Sequence, residues 1–210
     1  FQGLKIEQLW TDKSTYKVIK LDFSRVKPEG TFEDFCQYFD NYLEAQFSLI
    51  GFKKEDNGVF LSNQIEIFLA GLSSSSLVLL IDEYDAPLTA CLDNKEFFER
   101  VRNYLSRFYG ILKANDRVLR FLFITGITKF NKTSIITELN NLRDVSMSPR
   151  FGTLLGYTHE EVETYIDGYL TQSASVLSVS RDELLRSLTK QYDGFCFERT
   201  TTKKVFAPWS

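Results

Sequence analysis

The sequence is poor in histidine and cysteine, which serve many catalytic and metal sites. His159 is the single histidine of 210 residues, which excludes Ser-His catalytic pairs and histidine-rich zinc sites. The three cysteines, Cys36, Cys91 and Cys196, lie far apart and form no C-x-x-C pair. No disulfide framework is therefore expected, and a reducing cytoplasm is the predicted location.

The sequence also has no long apolar run and no excess of positive charge. No stretch approaches the ~20 apolar residues of a membrane span, and no signal peptide is visible. A net charge of −3 gives no basic field for nucleic acid, so we expect no direct nucleic-acid binding, although a local basic patch stays open. In contrast, 43% hydrophobic residues, with 19 Phe and 10 Tyr, supply a core for one large α/β domain or one domain with a small appendage.

An apolar run that ends in acidic residues stands out. Residues 77–81 are all apolar, and Asp82, Glu83 and Asp85 follow them directly. Such a run predicts a parallel strand buried on both faces, and ligands of such sheets bind beyond the carboxyl ends of the strands. The pattern has the form of a Walker B segment, whose Asp holds Mg²⁺ through water and whose Glu polarises an attacking water. The alternative is a solvated acidic turn; Asp85 is predicted either to orient Asp82 or to cap a helix.

The order of elements predicts a parallel three-layer α/β core over residues 1–155 and a helical lid with a C-terminal hairpin over 156–210. Hydrophobic periodicity, turn residues and two capping boxes predict the individual elements. These are strands at 16–23, 77–81, 119–125 and 144–147, helices at 31–50, 62–72, 96–113 and 134–142, helices opening at Thr158 and Ser180, and a hairpin at 195–206.

The end of the next strand supplies a second candidate. In P-loop ATPases a polar residue on the strand beside Walker B senses the γ-phosphate. Thr125 has that position, with Thr128 or Lys129 as substitutes. The alternative is that Thr125 satisfies a strand end and Lys129 is solvated.

Further polar residues have two interpretations each. Arg143 or Arg150 matches phosphate geometry as a sensor or finger arginine, or is a surface residue. The pair at 140–141 either caps a helix or contacts the nucleotide. Asp22 either lies near the site or caps a turn.

The phosphate-binding loop of P-loop proteins is missing from these residues. None of the eleven glycines belongs to a G-x-x-x-x-G-K-S/T sequence, whose backbone amides and lysine cradle the phosphates.

The ordered series of segments resembles the AAA-ATPase-like family of bacterial proteins that often carry a C-terminal PD-(D/E)XK-type nuclease domain. The matching segments span nearly the whole chain and lie at 1–4, 16–23, 79–87, 108–113, 119–130, 134–146, 155–158, 192–195 and 205–210. The resemblance implies a P-loop NTPase-like fold in which this chain begins just downstream of Walker A and stops before the nuclease region. Residues 1–3 are alternatively a remnant of an expression tag.

The resemblance also implies roles for particular residues. Asp82 would be the magnesium aspartate, Glu83 the water-polarising glutamate and Thr125 the sensor. ATP and Mg²⁺ would bind the intact domain and only weakly, or not at all, this fragment. Binding and hydrolysis would switch an attached effector, a nuclease being the expected one.

Two other functions remain open at this point. The chain is alternatively a degenerate, non-hydrolysing domain used for interaction or regulation, which the missing Walker A favours. A third interpretation makes Asp82, Glu83 and Asp85 a metal-dependent nuclease site, although no lysine follows the acids closely and two-metal sites gather carboxylates from separated segments.

Overall fold

A computed structural model of the chain describes residues 2–127, 142–200 and 202–207. Contacts between residues divide the chain into two compact units, residues 1–140 and 141–210, and each is described by itself. The functional split of the sequence at residue 155 into a core and a lid stays a prediction. The helix predicted at 134–142 falls, except for its last residue, outside the described residues.

The described part of the first unit alternates strands with helices. The elements are α1 Lys5–Leu9, β1 Lys17–Asp22, α2 Phe32–Ser48, α3 Leu61–Ala70, β2 Leu77–Asp82, α4 Ala86–Thr89, α5 Lys95–Ala114 and β3 Leu119–Ile124. The three strands and the helices α2, α3 and α5 confirm the predicted pattern to within two residues at each end. The short helices α1 and α4 were not predicted.

The two long helices begin at residues whose side chains satisfy free backbone amides. Thr31 and Asp34 form a reciprocal capping box at the start of α2, and Asn94 accepts the amide hydrogen of Phe97 at the start of α5. Both helices bury a stripe at three- and four-residue spacing, and their aromatic rings meet, as in the edge-on pair Phe39–Phe108 with centroids 6.0 Å apart. The buried stripes are Phe35, Phe39, Leu43 and Phe47 on α2 and Val101, Leu105, Phe108 and Leu112 on α5.

The sheet is parallel throughout, in the order β1-β2-β3. Alternate residues of its central strand, Leu77, Leu79 and Ile81, are at most 1% exposed. The opposite face is half open, with Val18, Phe121 and Phe123 exposed by 54%, 52% and 43%. The predicted burial on both faces therefore holds for one face among the described residues, and the third layer stays a prediction.

A register shift between β2 and β3 decides which residues meet at the end of the sheet. Leu77 pairs with Leu119, but Val78 pairs with Phe121, so Arg120 is an extra residue on β3. Beyond the shift Ile81 pairs with Ile124. One residue further along, Asp82 at the end of β2 and Thr125 just past β3 therefore lie side by side on the half-open face.

The second unit is helical in its described part. Helices α6 His159–Tyr165, α7 Asp167–Leu177 and α8 Arg181–Tyr192 pack around Val162, Leu170 and Phe206. The helices predicted to open at Thr158 and Ser180 are confirmed, whereas α7 was not predicted. A single antiparallel bridge joins Phe195 to Val205, near the two ends of the predicted hairpin, and a second joins Phe206 to Tyr157, which lies outside it.

The strand predicted at 144–147 is wrong. The Asp144 carboxylate accepts the amide hydrogen of Ser146 at 3.0 Å, and the amide of Ser148 donates to the Val145 carbonyl. These local bonds close a turn, because aspartate competes for the backbone groups that a strand would use.

Candidate functional site

Two acidic strand ends and a threonine come together at the carboxyl edge of the sheet. Asp22 and Asp82 are register partners in β1 and β2. The Thr125 hydroxyl, just past β3, donates a hydrogen bond to Oδ1 of Asp82. The structure thus brings Asp82 and Thr125, two residues singled out from the sequence, into direct contact.

Asp22 has a local structural partner. Its carboxylate accepts the amide and the hydroxyl of Ser24, at 3.1 and 2.6 Å, and so caps the turn after β1. Its own amide donates to the Tyr42 hydroxyl at 2.7 Å. Asp22 is therefore a turn cap that also lies next to Asp82, which joins the two interpretations drawn from the sequence.

Glu83 has a left-handed backbone, with φ at +50°. A side chain at such an angle costs of order 1 kcal/mol, and residues of this kind concentrate at functional sites. The amide of the next residue, Tyr84, donates to the Thr125 carbonyl at 3.0 Å, which helps to fix the turn. Glu83 is partly exposed and directly follows Asp82 in the chain.

Asp85, Gly126 and Tyr84 lie against one another beside this turn, and of the three only Asp85 had predicted roles, as a residue that orients Asp82 or as a helix cap. Asp85 is 2% exposed, and its Oδ1 accepts the amide hydrogen of Ile127 at 3.3 Å. It makes no side-chain capping bond to α4. A Cβ on Gly126 would lie 2.5 Å from Asp85 Oδ1 and 2.5 Å from the Tyr84 ring. The one sign of this close approach in the sequence is the glycine that follows the strand in Thr-Gly-Ile.

A buried tyrosine lies close to this turn. Tyr109 on α5 is 1% exposed, and its hydroxyl has no hydrogen-bond partner among the described residues. Burial, and then the nearby Tyr84 and Asp85, raise the pKa of Tyr109. Its side chain is therefore a neutral phenol, buried close to the turn.

The other residues predicted for the site fall elsewhere. Thr128, Lys129 and the pair at 140–141 lie outside the described residues, and their roles stay predictions. Arg150 is exposed in the second unit, its guanidinium 5.6 Å from the Phe151 ring centroid, and Arg143 is exposed in the same unit. Contact of either arginine with a phosphate also stays a prediction.

The donor set at the edge fits a water-mediated magnesium ion. Asp82 is an exposed carboxylate with a hydroxyl neighbour, and oxygen donors of this kind suit Mg²⁺, which keeps several of its waters. In the part of the chain that the structure describes, no group of three His, Cys, Asp or Glu side chains converges as a metal-binding cluster. The described edge thus gives no support to a nuclease site built from several carboxylates.

A cavity of about 560 Å³ lies among α2, α3 and α5. Asp40 and Tyr104 line it, and they are already joined by a hydrogen bond of 2.8 Å. None of the residues at the carboxyl edge of the sheet contributes to its lining. The chemistry suggested by Asp82 and Thr125 is therefore separate from this cavity.

Comparison with known proteins identifies the family of the chain. A family model described as AAA-ATPase-like, a predicted AAA-ATPase, matches residues 1–136, which include both Asp82 and Thr125. The chain belongs to this family. The matched region covers all three described strands and ends within residues 128–141, which the structure does not describe.

One curated relative is a longer protein, and its name states no activity. The chain is 27% identical over 165 residues to the "Uncharacterized protein in vnfD 5'region" of Azotobacter chroococcum mcd 1. The match covers 78% of this chain and 32% of that protein, so the chain spans about a third of its relative. No solved structure matches the chain. Within the described residues, no helix is both long enough and apolar enough to cross a bilayer.

Proposed function

We propose that this chain is most of an ATP-hydrolysing domain with a P-loop NTPase-like fold. The observation that carries the proposal is the contact between Asp82 and Thr125 at the carboxyl ends of adjacent parallel strands. Ligands of parallel sheets bind at this edge. Membership of the AAA-ATPase-like family supports the same function.

Each residue at the carboxyl edge of the sheet has its own role in the proposed reaction. Asp82 would hold Mg²⁺ through water, and the bound ion would supply positive charge beside the phosphates. Glu83 orients a water whose oxygen forms the new bond to the γ-phosphorus while the bond to the bridging oxygen of ADP breaks. The proton of that water passes to the Glu83 carboxylate and then to solvent. Thr125 joins Asp82 to the end of β3 and so couples the ion to that strand.

The grip on the phosphates comes from a segment that is not among these 210 residues. A Walker A loop supplies backbone amides and a lysine, and none of the glycines here has the required neighbours. We propose that ATP lies between such a loop and the Asp82–Glu83 edge. The role of residues 156–210 as a lid stays a prediction from the sequence. We propose that hydrolysis switches an attached effector, for which the family resemblance suggests a nuclease.

The test is ATP turnover by the full-length protein and by its Glu83→Gln variant. Loss of a positioned base lowers the rate by about 10²–10⁴-fold, while ATP binding persists. Glu44→Gln is the matched control, because Glu44 pairs with Lys54 on the surface and lies on α2. Equal turnover by wild type and Glu83→Gln would exclude the role of Glu83.

Calorimetry of the same proteins addresses the rival function. A titration that finds no magnesium-dependent ATP binding by the full-length wild type would contradict ATP hydrolysis. The domain would then be a non-hydrolysing module for interaction or regulation.

A further inference from the structure

Asp85 is a buried carboxylate three residues after the exposed Asp82. It is 2% exposed and lies close to the buried rings of Tyr84 and Tyr109. Burying a carboxylate is costly unless hydrogen bonds and neighbouring dipoles offset the loss of water. Aspartate at this position therefore needs a structural reason.

The contacts of Asp85 supply that reason, because they reach the loop after β3. Its Oδ1 accepts the amide hydrogen of Ile127 at 3.3 Å. The same oxygen lies where it would be 2.5 Å from a Cβ on Gly126, so the loop crosses directly over the carboxylate. Only glycine lets the backbone come this close without displacing Asp85 or Tyr84.

The same loop is fixed on its other side by backbone bonds. The amide of Thr125 donates to the Ile81 carbonyl at 2.8 Å, and the Thr125 carbonyl accepts from Tyr84 at 3.0 Å. Asp85 adds a bond two residues further on, at Ile127. Thr125 is thereby held from both directions, which fixes the side from which its hydroxyl meets Asp82.

We propose that Asp85 is a positioning residue that anchors residues 125–127 and so holds the Thr125 hydroxyl on Asp82. This inference rests on the proposed ATP site for its consequence but not for its geometry. Outer partners of metal-binding carboxylates typically change affinity or activity by about 10- to 100-fold when they are removed. Asp85 acts through Thr125 and touches neither nucleotide nor ion.

The first measurement tests the hydrogen bond from Ile127 to Asp85 by amide hydrogen exchange in the full-length protein. In Asp85→Ala we expect the amide of Ile127 to exchange at least about tenfold faster, because its acceptor is gone. Asp85→Asn keeps an oxygen at the same place and should restore most of the protection. Unchanged exchange in Asp85→Ala would overturn the anchoring role.

The second measurement uses kinetics to test the effect of Asp85 on ATP turnover and on its magnesium dependence. Asp85→Ala should lower kcat and raise the Mg²⁺ concentration for half-maximal turnover by about 10- to 100-fold, and Asp85→Asn should recover much of both. The KM for ATP should change by less than about threefold, because the phosphates are gripped elsewhere.

The control is Asn115→Ala, which removes a buried side chain bonded to the Ile111 carbonyl near the start of β3. It should lower the melting temperature without the shift in magnesium dependence. An equal shift in Asn115→Ala would reduce Asp85 to a stability residue and overturn the proposal. If wild type neither binds nor hydrolyses ATP, the proposed function fails, while the exchange measurement still decides whether Asp85 anchors the loop.

Discussion

The Thr125 hydroxyl donates a hydrogen bond to Oδ1 of Asp82, across two neighbouring parallel strands. The contact needs both the carboxylate that ends β2 and a hydroxyl one residue past β3. It connects a candidate magnesium ligand to the adjacent strand.

Removing this hydroxyl should affect activity more than stability. In Thr125→Val we expect turnover by the full-length protein to fall by about 10- to 100-fold, because Asp82 loses the donor that orients it. The melting temperature should barely change, since Asp82 is exposed and water can replace the bond. Thr125→Ser keeps the hydroxyl and is the matched control. Wild-type turnover in Thr125→Val would contradict the role of this contact.

Glycine at position 83 should stabilise the fold and abolish function. Glu83 has a φ of +50°, and relieving a left-handed side chain is worth about 1 kcal/mol. Ser178, at the end of α7 with a φ of +56°, offers a matched change to glycine. Denaturant unfolding should show both variants to be more stable, and only Glu83→Gly should lose ATP turnover. A destabilised Glu83→Gly would refute strain at this turn.

Alanine at Gly126 and at Gly110 should have opposite effects. At Gly126 a Cβ meets Asp85 and Tyr84 at 2.5 Å, so overpacking should cost about 1–3 kcal/mol. At Gly110, in the last third of α5, a Cβ meets nothing within 4 Å. Alanine there should stabilise the helix by about 1 kcal/mol. Equilibrium unfolding in urea measures both, and a neutral Gly126→Ala would disprove the tight crossing.

The half-buried Tyr104 and the buried Tyr109 should respond differently to loss of their hydroxyls. Tyr104 donates to Asp40 at 2.8 Å, so Tyr104→Phe should destabilise the protein by about 1–2 kcal/mol. The Tyr109 hydroxyl has no partner among the described residues, so Tyr109→Phe should be neutral or slightly stabilising. Urea unfolding of the pair provides the comparison. A large loss in Tyr109→Phe would point to a partner outside the described residues.

Glu198 should make the second unit acid-sensitive. Hydrogen bonds, first from the Thr200 hydroxyl and then from the backbone amides of residues 200 and 202, lower the pKa of Glu198 to about 2. A depressed folded-state pKa stabilises the unit fully above the ordinary value of 4.5, and this contribution is lost as the pH falls toward about 2.

The measurement is unfolding of the full-length protein between pH 7 and pH 2. Glu198→Gln should be less stable than wild type at pH 7, and the difference should shrink as the pH falls below about 4.5. Glu163→Gln, an exposed change in the same unit, should follow the wild-type profile. A difference between Glu198→Gln and wild type that is constant with pH would contradict the assignment.

Local patterns in the sequence were enough for most elements of the first unit and for the candidate pair at the edge. The periodic aromatic stripe of α2 and the caps at Thr31 and Thr158 are short-range features, so they are visible without tertiary structure. The strand predicted at 144–147 failed because Asp144 closes a turn with Ser146, a local competition that hydrophobicity does not register.

By itself the sequence determined that one strand ends close to Asp82 and another close to Thr125. Only the tertiary structure decided that these two residues meet. The extra residue Arg120 shifts the register of β3, and without that shift Ile124 would lie beside Asp82. Register depends on long-range backbone pairing, and so does the crossing of Gly126 over the buried Asp85. Neither leaves a periodic signal along the chain.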